Sequence, residues 1–261
     1  MTKAAAILPK ISHRFQWVWY RNLLVWSKFY KSSLVANTVE PLLYLIALGY
    51  GFAPLIRNVE GLSYMEFIAP GLIAYSALNA ATFECTYGAY ARMTAQKTYD
   101  AVIATPVNID EVVAGEVSFA TTKSLFASTV MLAMVSLFGL VHSWQAVFIP
   151  LAMALTGFVF ASMGMLFTSF SYSWDFFSYY LTLLIAPMYF LSGIFFPLDR
   201  LPPLVTQVAW LTPLYHSVEI SRSLALGRAD ATTAAHALWL LVAGALVFTC
   251  AVYRIRRRII L

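Results

Sequence analysis

Apolar residues run along this chain in six long stretches, broken by short clusters of charged and turn-forming residues. The stretches lie near Leu34–Ile56, Tyr64–Ala91, Val112–Leu140, Trp144–Phe170, Phe176–Pro197 and Ala234–Tyr253. Each has roughly the 20 residues that an α-helix needs to cross a ~30 Å hydrocarbon core. The breaks carry Arg57-Asn58 with Glu60-Gly61, Thr105-Pro106 with Asp110, His142-Ser143, Ser171-Tyr172-Ser173, and the run from Asp199 to Asp230. The pattern predicts an all-α polytopic membrane protein with six transmembrane helices. No stretch reads as a cleavable signal peptide, because the first follows several dozen polar and aromatic residues.

Composition agrees with the pattern: the 261 residues are 61% hydrophobic and 11% charged, and mean hydropathy is +0.73. A folded soluble surface could not absorb so much apolar area. The net charge of +5 acts here as an orientation signal and does not point to nucleic acid. With both ends inside, the inner side holds Lys3, Lys10, Arg14, Arg21, Lys28, Lys31, Arg92, Lys97, Arg254, Arg256, Arg257 and Arg258. The outer side holds Arg57, Arg200, Arg222 and Arg228, a bias of 12 against 4 with Lys123 inside the third span. That asymmetry predicts cytoplasmic termini. Cys85 and Cys250 fall within expected spans, without a metal-ligand neighbourhood and without grounds for a disulfide.

Before the first span, ILPKISHRFQWVWYRNLLVWSKFYKSS sets Lys10, Arg14, Arg21, Lys28 and Lys31 on one side of a helix. Phe15, Trp19, Leu23, Trp26 and Phe29 fall on the other. This predicts an amphipathic helix in the cytoplasmic interface, its aromatic face in the acyl boundary. It serves either as a basic anchor or as a docking strut for a cytoplasmic partner. Between the second and third spans, Ala95–Ala104 forms a short helix that Thr105-Pro106 ends. Asn108 or Asp110 then caps the next helix, with Asp110, Glu111 and Glu116 favouring its N-terminus. A short stiff helix of this kind transmits force between spans; an ordinary connection is the plain alternative.

Glu84 in the second span and Lys123 in the third reach a similar depth, about 10–12 Å from the cytoplasmic end. Charges there are costly unless paired or wetted. They form either an ion pair that locks two spans or part of a proton relay. Glu40, just before Pro41, is expected to cap or kink the start of the first span.

After the fifth span, prolines 197, 202, 203 and 213 cut an apolar segment into pieces too short to cross. Two short helices that dip into the outer leaflet and return are expected there. Aromatics crowd from Phe167 to Phe196, including Tyr172, Trp174, Tyr179, Tyr180 and Tyr189. They form either an interfacial belt with core packing or a sugar-stacking or lipid-sliding path. No glycine precedes Lys-Ser or Lys-Thr, so the chain holds no P-loop. A His-Glu-x-x-His zinc pattern and a serine beside a histidine and acid are also missing, and an enzyme is not expected.

Several ordered segments then resemble the type-2 ABC transporter permeases, and within them the permeases that export nodulation factors, which are lipo-chitooligosaccharides. They are WVWYRNLLVWSK, ATFECTYGAYARM, QKTYDAVIATP, GEVSFATTKS, ASMGM, WDFFSYYLTLLIAPMYFLSGIFFPLDRLP and PLYHSVEISRSLALG. The resemblance runs nearly end to end. It implies a single transmembrane domain over 1–261: a cytoplasmic tail and interface helix over 1–33, a six-span region over 34–253, and a basic cytoplasmic tail over 254–261. It implies a multi-pass protein of the bacterial inner membrane, paired as a homodimer. Two copies of a cytoplasmic subunit would bind ATP and Mg, this chain holding no cofactor or metal. Gln96, Lys97, Thr98, Tyr99, Asp100 and Ala101 would couple to that subunit, joined by Arg14 and Arg21 of the Ile11–Lys31 helix. Pro197, Asp199, Arg200 and Pro202 would belong to the outer re-entrant element. The implied substrate is an amphipathic lipid-linked saccharide or a hydrophobic small molecule. An ion-coupled secondary transporter using Glu84 and Lys123, and an intramembrane lipid enzyme, are the competing classes.

Overall fold

The computed structural model describes residues 8–52, 55–56 and 58–260; Lys3 and Arg57 of the charge tally lie outside the described residues, as does the side chain of Arg200. Apart from one isolated bridge between Val59 and Leu62, the regular elements described are helices. In chain order they are α1 (Phe15–Ser27), α2 (Tyr30–Phe52), α3 (Tyr64–Phe83), α4 (Thr98–Ile103), α5 (Ile109–Leu137) and α6 (Ile149–Phe170). Then follow α7 (Phe176–Tyr180), α8 (Ala186–Phe190), α9 (Pro203–Trp210), α10 (Pro213–Leu226) and α11 (Ala231–Ile260).

Four of these are long and apolar enough to cross a membrane: α2, α5, α11, and α6 together with the 3₁₀ turn Trp144–Phe148. The second expected span is α3, extended by π-helical turns over Glu84–Gly88 and Ala91–Ala95. The fifth is shorter than expected. A π turn over Leu181–Ile185 joins α7 and α8 into one apolar helix, Phe176–Phe190. At ~1.5 Å per residue that helix is about 22 Å long, below the ~30 Å core. The chain turns off it where the Ser192 hydroxyl donates to the Tyr189 carbonyl and Gly193 takes a left-handed φ of 80°.

Caps set the other boundaries. Asn108 accepts from the Glu111 amide at 3.0 Å while Glu111 accepts from the Asn108 amide at 2.9 Å. This capping box starts α5 at Ile109, one turn ahead of the expected Val112. Ser63 and Glu66 do the same for α3. Gly227, with φ 72°, ends α10 in a Schellman turn in which the Arg228 amide reaches the Ser223 carbonyl at 2.8 Å.

At the centre stands α3, packed on by α2, α5, α6 and α10 and buried all round from Phe67 to Thr82. Hydroxyls tie its neighbours to it: Ser124 of α5 donates to the Ala77 carbonyl at 2.7 Å, and Ser221 of α10 to the Pro70 carbonyl at 2.8 Å. Such bonds and small-residue contacts replace the hydrophobic drive that lipid removes. Pro41 lies inside α2 and has no amide to give the Asn37 carbonyl. Ser76 of α3 donates to that carbonyl at 3.1 Å instead. Glu40 therefore does not cap a helix start; it lies ten residues into α2.

Two further expectations change. The aromatic face of α1 is turned onto α5, not into the acyl boundary. Trp26 meets Phe119 and Phe126 edge-on, and the Trp19 indole donates to Thr122 at 3.0 Å. The approach is close because Gly115 lies beneath: a Cβ there would meet the Val18 side chain at 2.5 Å and the Phe15 carbonyl oxygen at 2.9 Å. Residues 254–260 are not a free tail but the closing turns of α11. Arg258 donates to the Thr168 carbonyl at 2.5 Å, and Arg254 lies over the Phe170 ring.

Candidate functional site

The polar chemistry collects at one end of the helix bundle, around the π turns that extend α3. Lys97 takes a left-handed conformation (φ 48°) and redirects the chain into α4. Within α4, Tyr99 is 1% exposed and anchors the short helix to the bundle, while Asp100 and Ala101 remain at the surface with Gln96 and Lys97 before them. Burial pushes the Tyr99 phenol well above its ordinary pKa, reinforced by Glu116. Its hydroxyl has no hydrogen-bond partner among the described residues.

Beneath α4 lies an ionic network built from three helices. Lys123 Nζ of α5 approaches Glu84 Oε2 at 2.7 Å, and Arg92 Nη2 approaches Glu84 Oε1 at 2.5 Å. Arg92 also forks onto Glu116 of α5, with Nε to Oε1 at 2.9 Å and Nη2 to Oε2 at 2.5 Å. Arg21 of α1 completes the set at 3.6 Å from Glu116. The Glu116 side chain is wholly buried and that of Glu84 is 9% exposed. Two carboxylates thus face three cations, and a bidentate guanidinium is the geometry that makes buried pairing tolerable. Gly88 lies between the partners on the π turn, where a Cβ would meet Glu84 Oε1 at 2.8 Å.

The sequence pairs Glu84 with Lys123, and the structure adds Arg92 and Glu116 as further partners. By position in the sequence Arg92 is a loop charge and Glu116 a helix-dipole residue. Glu84, Gly88 and Arg92 are spaced four apart, and the π turns over Glu84–Gly88 and Ala91–Ala95 bring the carboxylate and the guanidinium together.

The start of α5 gathers the remaining contacts at this end. The Lys10 amide donates to Asp110 Oδ2 at 2.8 Å, Ser12 bonds Glu111, and the Asn108 carboxamide donates to the Lys10 carbonyl at 3.1 Å. Arg14 Nη1 donates to the Pro106 carbonyl at 2.6 Å, so the segment before α1 touches the loop after α4. Arg256 of α11 pairs with Asp110. Arg14 and Arg21 therefore differ: the first reaches the loop at the surface, and the second turns inward to Glu116.

The five aromatic candidates do not form one path. Tyr172 is exposed under Arg258, and Trp174 stacks on Tyr87 and meets Tyr90 edge-on. Tyr179 is exposed, whereas Tyr180 is buried against Phe167. Tyr189, near the opposite end, stacks on Tyr75 at 4.1 Å. There too, Pro197 and Pro202 precede the 3₁₀ turn Leu198–Arg200 and α9, with exposed Asp199 between them. The Thr206 hydroxyl closes back on the Leu198 carbonyl at 3.1 Å. The two short helices of this segment are α9 and α10.

Residues 13–226 match the family described as ABC-2 type transporter. Nodulation protein J of Rhizobium leguminosarum bv. viciae is 38% identical over 97% of this chain and 98% of its own length. Its counterpart in Sinorhizobium fredii is 36% identical over 98% of both. The inner membrane transport permease YadH of Escherichia coli is 29% identical over 86% of this chain and 83% of its own length. The matched region takes in α1, α4 and every residue of the ionic network, and the chain belongs to the ABC-2 type transporter family.

Proposed function

We propose that this chain is the permease subunit of an ATP-driven exporter in the bacterial inner membrane, with both termini in the cytoplasm. Two copies pair to form the substrate path. Two copies of a separate ATP-binding subunit, which holds the ATP and Mg, dock at the end carrying α1 and α4. The substrate is an amphipathic lipid-linked saccharide or a hydrophobic small molecule. One observation carries the coupling role: Tyr99 seats α4 directly on the network that joins α1, α3 and α5. Movement of α4 is then felt by three helices at once, which suits a shift between two packings. The gathering of Lys10, Arg14, Lys97 and Arg256 at that end supports the cytoplasmic orientation.

The ion-coupled alternative is disfavoured because both oxygens of Glu84 are engaged, one by Arg92 and one by Lys123. No free carboxylate is left there to carry a proton. Transport that fails with a protonophore and survives ATP depletion would revive that alternative.

The test is purification of the tagged chain from its own membranes, followed by the ATPase rate of the complex. A stoichiometric P-loop subunit should copurify. Asp100→Lys and Tyr99→Ala should insert normally but lose most of the coupled ATPase stimulation. Normal stimulation in both variants removes the coupling role from α4, and reproducible absence of the subunit removes the exporter reading.

A further inference from the structure

A cavity of about 360 Å³ lies between α1 and the turn that leads into α4, lined by Arg21, Asn22, Trp26, Phe119 and Gln96, with exposed Val25 and Phe29 at its rim. Three nitrogens of its lining residues are shut off from water and have no hydrogen-bond partner among the described residues: Arg21 Nη1, Asn22 Nδ2 and Trp26 Nε1. Buried donors are nearly always satisfied, so three together on one stretch of α1 point to a missing acceptor. The Asn22 carboxamide oxygen already accepts from Arg21 Nη2 at 2.7 Å, which leaves Asn22 only amide hydrogens to offer. Glu84 also lines the cavity, but both its oxygens are engaged, by Arg92 and by Lys123. Charge points the same way. Arg21, Arg92 and Lys123 face Glu84 and Glu116, an excess of one cation. Arg21 is the loose member: its side chain is 32% exposed and its 3.6 Å approach to Glu116 exceeds hydrogen-bond length. Glu116 keeps two bonds from Arg92 if Arg21 turns toward the cavity.

We propose that this cavity binds the phosphodiester of an anionic phospholipid from the cytoplasmic leaflet, held by Arg21, Asn22 and Trp26. The lipid is a resident of the surrounding membrane and not the cargo. The inference goes beyond the exporter reading and shares with it only the orientation of this end toward the cytoplasm. A singly charged phosphodiester balances the surplus cation, and its oxygens accept from a guanidinium, an amide and an indole at once. Zwitterionic lipids bring a cation of their own into a site that already has one to spare. A lipid as the source of the phosphate follows from the rim. Trp17, Tyr20 and Leu24 are exposed like Val25 and Phe29, so α1 offers acyl chains an apolar surface beside the donors.

The experiment uses the full chain as it purifies from its own membranes, delipidated in a nonionic detergent, with bound lipid counted by native mass spectrometry. Dihexanoylphosphatidylglycerol is titrated in competition with dihexanoylphosphatidylcholine and with inorganic phosphate. One phosphatidylglycerol per chain should bind, about tenfold tighter than phosphatidylcholine, and inorganic phosphate should not displace it. Trp26→Phe removes only the indole donor and should weaken binding about tenfold, the worth of one hydrogen bond to a charged group. Arg21→Gln should abolish the preference between the two lipids. Lys31→Gln removes an exposed cation of the same interface that does not line the cavity, and it should change neither quantity. Trp26→Phe keeps the packing and carries the test by itself if Arg21→Gln fails to fold. Equal affinity for the two lipids in the unsubstituted chain, or unweakened binding by Trp26→Phe, overturns the site. Weakening by Lys31→Gln as great as by Arg21→Gln overturns it as well, assigning the binding to diffuse surface charge. Displacement by inorganic phosphate overturns the lipid as the source of the anion. Binding that appears only once copurified protein is stripped away also overturns the lipid and assigns the cavity to a docked subunit.

Discussion

Substituting Glu84 by Gln removes one charge from the network and leaves its neighbours unequally served. Arg92 keeps its two bonds to Glu116. Lys123, with a side chain 13% exposed, loses the carboxylate that Glu84 supplied and gains only a neutral amide. Breaking a buried pair from one side costs ~3–5 kcal/mol, because the surviving charge stays desolvated. Glu84→Gln should therefore lower stability by about 3 kcal/mol, or roughly 6–12 °C in melting temperature for a chain of this size. Glu84→Gln with Lys123→Met removes both charges and keeps the volumes, and it should recover most of the loss. Arg92→Met should be the worst of the set, since it strands Glu84 on Lys123 alone and Glu116 on Arg21 at 3.6 Å.

The assay is thermal loss of the monodisperse peak in detergent, with all four proteins heated side by side. Unfolding of membrane proteins is commonly irreversible, so the ranking carries the argument and not the absolute midpoint. A double variant no more stable than Glu84→Gln would refute the pairing energetics, since removing the stranded Lys123 charge would then recover nothing. An Arg92→Met chain milder than Glu84→Gln would refute the placement of Arg92 as the shared bridge.

Gly115→Leu should lift α1 off α5, because even a Cβ meets Val18 at 2.5 Å. Proteolysis near residues 15–27 should speed up by roughly 5- to 150-fold, a local opening favoured by ~1–3 kcal/mol of overpacking. Ser76→Ala should cost ~1–2 kcal/mol by leaving the Asn37 carbonyl without its donor. The same change in a Pro41→Ala background should cost far less, because the restored amide supplies the bond; melting of the four-protein cycle checks it. Tyr99→Phe should be neutral or slightly stabilising, given that the buried hydroxyl has no partner. Coupled ATPase stimulation should survive it, in contrast to Tyr99→Ala.

Much of this fold is legible in the sequence, and the gaps have physical causes. Apolar runs fix which segments are helices, and Thr105-Pro106 with Asn108 fix where α4 stops and α5 begins. Counting at 1.5 Å per residue brings Glu84 and Lys123 to one depth, but it says nothing of azimuth. The π turns over Glu84–Gly88 and Ala91–Ala95 rotate that azimuth, and they leave no trace in the residue pattern. In sequence Arg92 and Glu116 therefore stand as a loop charge and a dipole charge. The face of α1 is ambiguous for another reason. Lipid and the flank of α5 are equally apolar, so Trp19 and Trp26 carry the same amphipathic signature whichever they meet. The arginines of α11 read as a tail because charge ends an apolar run, although helix propensity continues through Arg254–Arg258. The Pro after Glu40 suggests a helix start, while the helix begins at Tyr30.

The first turns of α5 receive contacts from four separate parts of the chain. Asp110 binds the Lys10 amide and Arg256, Glu111 binds Ser12, Glu116 binds Arg92 and Arg21, and Asn108 binds the Lys10 carbonyl. On the exporter reading, α4 cannot be pushed without loading this hub, since Tyr99 is buried against it. Rigid transmission requires that the hub not yield first, and desolvated, bidentate charges meet that need better than apolar packing, because their geometry is directional. It follows that a variant which replaces the network with well-packed apolar residues could gain stability and still lose coupling. Replacing Arg21, Glu84, Arg92, Glu116 and Lys123 together by Met, Met, Met, Met and Leu separates these two properties. Melting at or above the original temperature with lost ATPase stimulation would assign the charges to transmission. Unchanged stimulation would show that α4 moves the bundle by contact alone.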